Sequence, residues 1–175
     1  MSIEEIASIV AAVSSTISLA YLVYKELKTR PKLKIKGVWR DPSTGGSPPG
    51  KGQVNEDGTY SLSIIVEVSN EGGTDLNGCY GFVKTDMESR PLYDWMSYEK
   101  DLGSGKMDRF GTEPYKIFNL PAHTSKVLRT GVKASSEKVG MEIVVKCGKL
   151  SDQKKIQSIE TLTYPEEPLP VSAIM

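Results

Sequence analysis

His123 is the one histidine in the chain, and Cys79 and Cys147 are its two cysteines. A Ser/His/Asp or Cys/His site needs an imidazole within hydrogen-bond reach of its nucleophile, so any such site would have to rest on His123 alone. That histidine sits in the turn-like run from Pro121 to Ser125, with no cysteine or pair of carboxylates beside it, and reads as a solvated loop side chain. The run Gly45-Gly46-Ser47-Pro48-Pro49-Gly50-Lys51 fills the first seven positions of a phosphate-binding loop, yet Gly52 stands where the magnesium-binding Ser or Thr belongs. Its prolines lack the N–H groups that cradle phosphate and no apolar helix follows, so the run reads as a turn-rich connection. Asp86, Glu88, Asp94, Glu99, Asp101 and Asp108 could lend oxygens to calcium, but the spacing of a calcium loop is missing. No catalytic, cofactor-binding or metal-binding residue is assigned, and no cofactor is expected.

The elements that carry these residues come from length and pattern. A chain of 175 residues holds one domain of ordinary size plus an appendage. Its 22 Lys and Arg balance 22 Asp and Glu, so the global basic excess of a nucleic-acid binder is absent. Residues 1–30 form a hydrophobic helix and its basic flank, residues 31–164 a β-sandwich domain, and residues 165–175 an extended Pro-rich tail.

Residues 6–24 contain no charge, Gly or Pro. At 1.5 Å per residue that stretch spans roughly 28 Å, about the hydrocarbon thickness of a bilayer. It is read as a membrane helix, with a helix buried in a filament or soluble assembly as the alternative. A cleaved signal peptide fits least, because Glu4 and Glu5 stand where such a segment carries Lys or Arg. Its Ser and Thr hydroxyls can bond to carbonyls one turn earlier. Ser8, Ala12, Thr16 and Ala20 recur every fourth residue, a spacing of small side chains that permits close helix packing and a homo-oligomer.

Lys25, Lys28, Arg30, Lys32, Lys34 and Lys36 crowd the C-terminal flank against Glu26 alone. The positive-inside rule then predicts a cytoplasmic sandwich, with the extracytoplasmic side as the alternative. The same lysines at 32, 34 and 36 alternate with Leu33 and Ile35, as they would on the solvent face of a first strand, and the two readings are compatible. Such a cluster beside a bilayer also attracts anionic headgroups.

After Pro31 the period changes to two. Leu62, Ile64, Val66 and Val68 alternate with polar residues, as do Met141, Ile143, Val145 and Cys147; Ile65 and Val144 interrupt the two polar faces, and both runs read as half-buried strands. Further strands are expected at 33–39, 79–84, 115–120, 125–132 and 156–164. The fold class is therefore all-β, a sandwich of seven to eight strands preceded by one N-terminal transmembrane-type helix.

The order of a short membrane helix, a basic juncture at Lys28-Thr29-Arg30-Pro31-Lys32-Leu33-Lys34-Ile35, and a strand ending Val68-Ser69-Asn70-Glu71-Gly72 resembles small prokaryotic single-pass membrane proteins with an immunoglobulin-like sandwich. The Val-x-Val-x-Asn-x-Gly pattern at residues 66–72 and the run Asn119-Leu120-Pro121-Ala122-His123-Thr124-Ser125 are similar to adhesion-type immunoglobulin-like modules. The resemblance implies a fold and an anchor, and no activity. Long insertions at residues 40–58 and 86–114 depart from the module pattern.

Compartment decides the cysteines. In a cytoplasmic domain Cys79 and Cys147 are expected as reduced, buried small side chains; outside, a disulfide across the sandwich becomes possible. No Asn-x-Ser/Thr acceptor occurs in the chain. The insertion between Asp86 and Glu113 carries large aromatics, and Tyr93, Trp95, Tyr98 and Arg90 are the candidate partner-binding residues. In the opposing reading Leu92, Trp95 and Tyr98 form an extra edge strand that seals one end of the core. The function expected is a membrane-anchored protein-interaction or assembly module with no catalytic activity, bound to an unidentified protein partner and to the bilayer. The alternative is a pilin-like or archaellum-associated subunit with an outward-facing sandwich.

Overall fold

The computed structural model describes residues 2–42, 52–101 and 107–166. The phosphate-loop-like run at 45–51 and the tail from 167 onward lie outside the described residues.

Helix α1 (Ile3–Thr29) runs past the expected segment at both ends. The C-terminal extension follows from Lys25, Glu26, Leu27 and Lys28, all good helix formers, and it stops because Pro31 disfavours helical backbone at the residue before it. Ser8–Glu26 is long and apolar enough to cross a membrane, and none of it is buried against the rest of the protein. The hydroxyls behave as expected: Thr16 donates to the Ala12 carbonyl at 2.8 Å and Ser18 to the Ser14 carbonyl at 2.9 Å.

The strands are β1 (Leu33–Arg40), β2 (Gln53–Val54), β3 (Tyr60–Asn70), β4 (Leu76–Lys84), β5 (Ser89–Pro91), β6 (Tyr93–Asp101), β7 (Met107–Tyr115), β8 (Ile117–Leu120), β9 (Ser125–Ala134), β10 (Met141–Cys147) and β11 (Leu150–Ile156). They form two antiparallel sheets. One has the order β1-β3-β9-β6-β7 with β2 beside β3, and the other β11-β10-β4-β5 with β8 beside β4. Ile64, Val66 and Val68 of β3 and Leu128 of β9 share one core with Val83 of β4 and Ile143 and Val145 of β10. The alternation read for β10 is kept residue for residue.

Four expectations change. The strand count rises from seven or eight to eleven segments among the described residues, because the insertion after Asp86 contributes three strands, β5, β6 and β7, where the edge-strand reading has one. The last strand is not 156–164; instead β11 returns beside β10, and residues Ile159–Thr161 form a 3-10 turn. Period-two hydrophobicity fails to mark β11 because two of its inward residues are polar and bond to the other sheet. Asp152 Oδ2 accepts the Ile35 N–H at 2.6 Å, and Lys154 Nζ donates to the Lys36 carbonyl at 3.4 Å, joining the two sheet edges.

The remaining two corrections concern the cysteines. They are bonded to each other rather than reduced, and the bond joins neighbouring strands rather than crossing the sandwich. Cys79 and Cys147 stand directly opposite in the β4–β10 register with Cα atoms 4.2 Å apart, near the roughly 4.5 Å of a non-hydrogen-bonded antiparallel pair, in which the side chains approach most closely. The bond closes a loop of sequence separation 68. Replacing both residues by Ala is expected to lower unfolding free energy by about 4 kcal/mol through the lost restraint on the unfolded chain. Urea unfolding of the two forms measures this, and equal midpoints would contradict it.

Candidate functional site

The chain leaves α1 at Thr29, enters β1 at Leu33, and is gripped in between by the turn that follows β3. Asn70, the last residue of β3, is 1% exposed, and its side chain does the gripping. Its Oδ1 accepts the Lys32 N–H at 3.3 Å and the Gly72 N–H at 3.1 Å. Its Nδ2 donates to the Thr74 carbonyl at 2.7 Å and to the Leu120 carbonyl at 3.1 Å. A primary amide has two donors and an oxygen with two acceptor positions, so the side chain is saturated. Around it the Glu71 N–H donates to the Lys32 carbonyl at 2.8 Å, and Thr74 Oγ1 donates to the Thr29 carbonyl at the end of α1.

Backbone contact tightens the joint. A methyl group on Gly72 would lie 2.0 Å from the Arg30 carbonyl oxygen and 2.5 Å from Pro31 Cα, so no side chain fits there without moving the linker. On the other side the Gly72 carbonyl accepts the His123 N–H at 3.2 Å. His123 has φ 56°, a left-handed conformation that costs a residue with a Cβ, and the neighbouring bonds hold it: Ala122 N–H to Asp75 Oδ1 at 2.9 Å, and Thr124 Oγ1 to the Pro121 carbonyl at 2.8 Å. The expected loop histidine is thus a backbone element of the joint, with an exposed side chain.

The basic flank divides into two groups. Arg30 pairs with Glu26 at 3.0 Å, Lys34 with Glu71 of the turn after β3 at 3.6 Å, and Lys36 with Glu67 of β3 at 3.9 Å. Lys25, Lys28 and Lys32 are exposed, and among the described residues no carboxylate lies in ion-pair range of them. Ser8, Ala12, Thr16 and Ala20 are likewise exposed along α1.

The candidate partner-binding residues lie on two strands that belong to different sheets. Arg90 lies in β5 of one sheet, opposite Val83 and ion-paired with Glu88 at 2.7 Å. The chain then crosses the core at fully buried Leu92 and enters the other sheet at Tyr93. Trp95 and Tyr98 continue along β6, opposite Pro114 and Gly111 of β7, with side chains outside the described residues. Among the described residues strand β6 pairs with β9 through Tyr93 and Asp94 only, and from Trp95 onward the β6–β7 hairpin is paired with itself. Asp94 anchors its base through a nearly buried ion pair with Lys126.

At the opposite end of the sandwich, a cavity of about 600 Å³ is lined by Arg40, Tyr60, Ser135, Ser136, Lys138 and Glu160, among others. Arg40 is spent on structure: Nε donates to the Leu162 carbonyl at 2.8 Å and Nη1 to the Tyr60 hydroxyl at 3.3 Å, while Nη2 faces the Ile159 and Glu160 carbonyls at 3.4 Å. Nearby, Ser135 holds the Asp86 carboxyl below the ordinary carboxylate range, chiefly by its side chain. Asp86, Glu88 and Asp94 each have separate partners, and among the described residues no cluster of three metal-ligating side chains occurs.

Sequence reasoning noticed Asn70 and Gly72 only as part of a motif. Their signal was present, since a lone Asn followed two residues later by Gly at a strand end marks a side chain that bonds its own turn. Arg40 carried no such signal.

No known protein family matches the chain, and no curated protein does. Among solved structures it is similar to a Bordetella pertussis protein provisionally named ApaA, with 9% identity over 79% of this chain and 98% of that one and a TM-score of 0.33. A likeness of that size carries no argument.

Gly72→Ala tests the joint. The added carbon must displace the linker, and the expected loss is about 2 kcal/mol of unfolding free energy, typical of overpacking at a rigid contact. A chemical-denaturation midpoint equal to that of the unaltered protein would show that the linker is free to move.

Proposed function

We propose that the protein is a membrane-anchored interaction module without catalytic activity, in which α1 lies in the bilayer and the sandwich meets another protein. The observation that carries this reading is that Ser8–Glu26 is apolar and wholly unburied while its end is fastened to the sandwich by Thr74 and the Asn70 turn. Nineteen residues of exposed apolar helix need a cover, and lipid is the cover their length fits. The β6–β7 hairpin is the segment best suited to a protein partner, because most of its length is paired with itself and, among the described residues, with no third strand. Assignment to small prokaryotic single-pass proteins with an immunoglobulin-like sandwich belongs to the same proposal.

The lysines at 25, 28 and 32 support a sandwich on the cytoplasmic side. One observation favours a second reading, an outward-facing sandwich in a pilin-like or archaellum-associated subunit: the Cys79–Cys147 bond is of a kind that persists in oxidising compartments.

Protease treatment of intact and lysed cells separates the two. The sandwich is expected to survive in intact cells and to be cut only after lysis. Digestion in intact cells would overturn the cytoplasmic assignment in favour of the second reading.

A further inference from the structure

The apolar span of α1 ends at Glu26, and Thr29, whose carbonyl is bonded by Thr74, follows three residues later. At 1.5 Å per residue that is about 4.5 Å along the helix axis, and any tilt shortens the depth further. The headgroup layer on one side of a bilayer is roughly 5–8 Å thick, from the difference between total and hydrocarbon thickness. If α1 spans the bilayer, the loops that touch its last turn are therefore held within reach of the headgroups, and charge decides whether they dock.

Charge at this end of the sandwich is mainly positive. Glu26 is paired with Arg30 at 3.0 Å and Glu71 with Lys34 at 3.6 Å, and Asp75, which accepts the Ala122 N–H at 2.9 Å and keeps its charge, is outnumbered by lysines. Lys25, Lys28 and Lys32 remain exposed beside exposed His123. The turn between β10 and β11 adds Lys149, two residues past Cys147, whose partner Cys79 lies near the start of β4 at the same end of the second sheet. We propose that this end of the sandwich, residues 71–75 and 121–124 with Lys25, Lys28 and Lys32, is a docking surface for anionic phospholipid headgroups. The proposal rests on the membrane reading of α1 and deepens it: the sandwich is seated in the headgroup layer, not tethered above it. The Asn70 joint supplies the preorganisation, since a flexible linker would lose the lysines' alignment with the loops.

The test uses the full chain in vesicles of phosphatidylcholine alone or mixed with phosphatidylglycerol, with a quencher attached to lipid headgroups. Because the native cysteines are bonded, Ala122→Cys and Glu56→Cys each provide one site for a fluorophore, the first at the docking end and the second in the β2–β3 turn at the far end. Quenching at position 122 is expected to exceed that at 56 several-fold in anionic vesicles. It should fall in zwitterionic vesicles, and also in anionic ones when Lys25, Lys28 and Lys32 are changed to Gln, by about fivefold per lysine in the docked-to-undocked ratio. Changing Lys133 and Lys138 to Gln should leave it unaltered. Loss of the chain from the vesicles on alkaline washing would overturn the anchor and the docking together. A retained chain with equal quenching at 122 and 56 would overturn the docking alone. Strong quenching at 122 that ignores both lipid charge and the three lysines would overturn headgroup recognition by charge.

Discussion

A buried side-chain amide is costly unless its two donors and its oxygen are all engaged, and at Asn70 they are. The four bonds reach the linker at Lys32, the turn at Gly72 and Thr74, and the end of β8 at Leu120, which belongs to the second sheet. One residue therefore ties the exit of α1 to both layers of the sandwich. Removing it would leave two N–H groups and two carbonyls to find other partners at a crowded junction, each at a cost of about 1–3 kcal/mol if left buried and unpaired. The close approach of Gly72 to Arg30, the Thr74 bond to Thr29 and the left-handed backbone at His123 make sense around that hub. Each brings loop backbone closer to the linker than ordinary side chains would allow.

The sandwich closes by polar bonds at places where hydrophobic contact cannot reach. Asp152 and Lys154 join the edge strand β11 to β1 across the open side. Arg40 clamps the 3-10 turn at the end far from the helix, and Glu88 and Asp86 cap β9 and the residue after it by accepting the Lys133 and Ser135 N–H groups. Between these ends the core is mostly aliphatic, with Phe118 and Tyr60 as its aromatic members, and the Cys79–Cys147 bond fixes the register of the two central strands of the second sheet.

Features set by periodicity were legible in the sequence: the unbroken apolar run of α1, and the alternation in β3 and β10, interrupted at Ile65 and Val144, that places Ile64, Val66, Ile143 and Val145 inward. Features set by polar side chains bonding across the fold were not. Strand β11 reads Leu-Ser-Asp-Gln-Lys-Lys-Ile and looks like a loop until Asp152 is seen on the Ile35 N–H. The cysteines lay on strands read as central, but their opposition depends on register, which sequence spacing does not give. The site was half legible. The basic flank was visible as charge, whereas its division into Lys34 and Lys36, paired with acids, and Lys25, Lys28 and Lys32, exposed near the loops, follows from which acids β3 and its turn present.

The central claim is that helix and sandwich move as one body through the Asn70 turn. Its most direct test is the distribution of distances between spin labels at Ala20 in α1 and Glu56 in the β2–β3 turn, measured on the full chain in lipid nanodiscs. The account predicts a single narrow distribution that broadens when Asn70 is changed to Ala while the sandwich stays folded. A distribution already broad in the unaltered chain, or one that ignores the loss of Asn70, would contradict it.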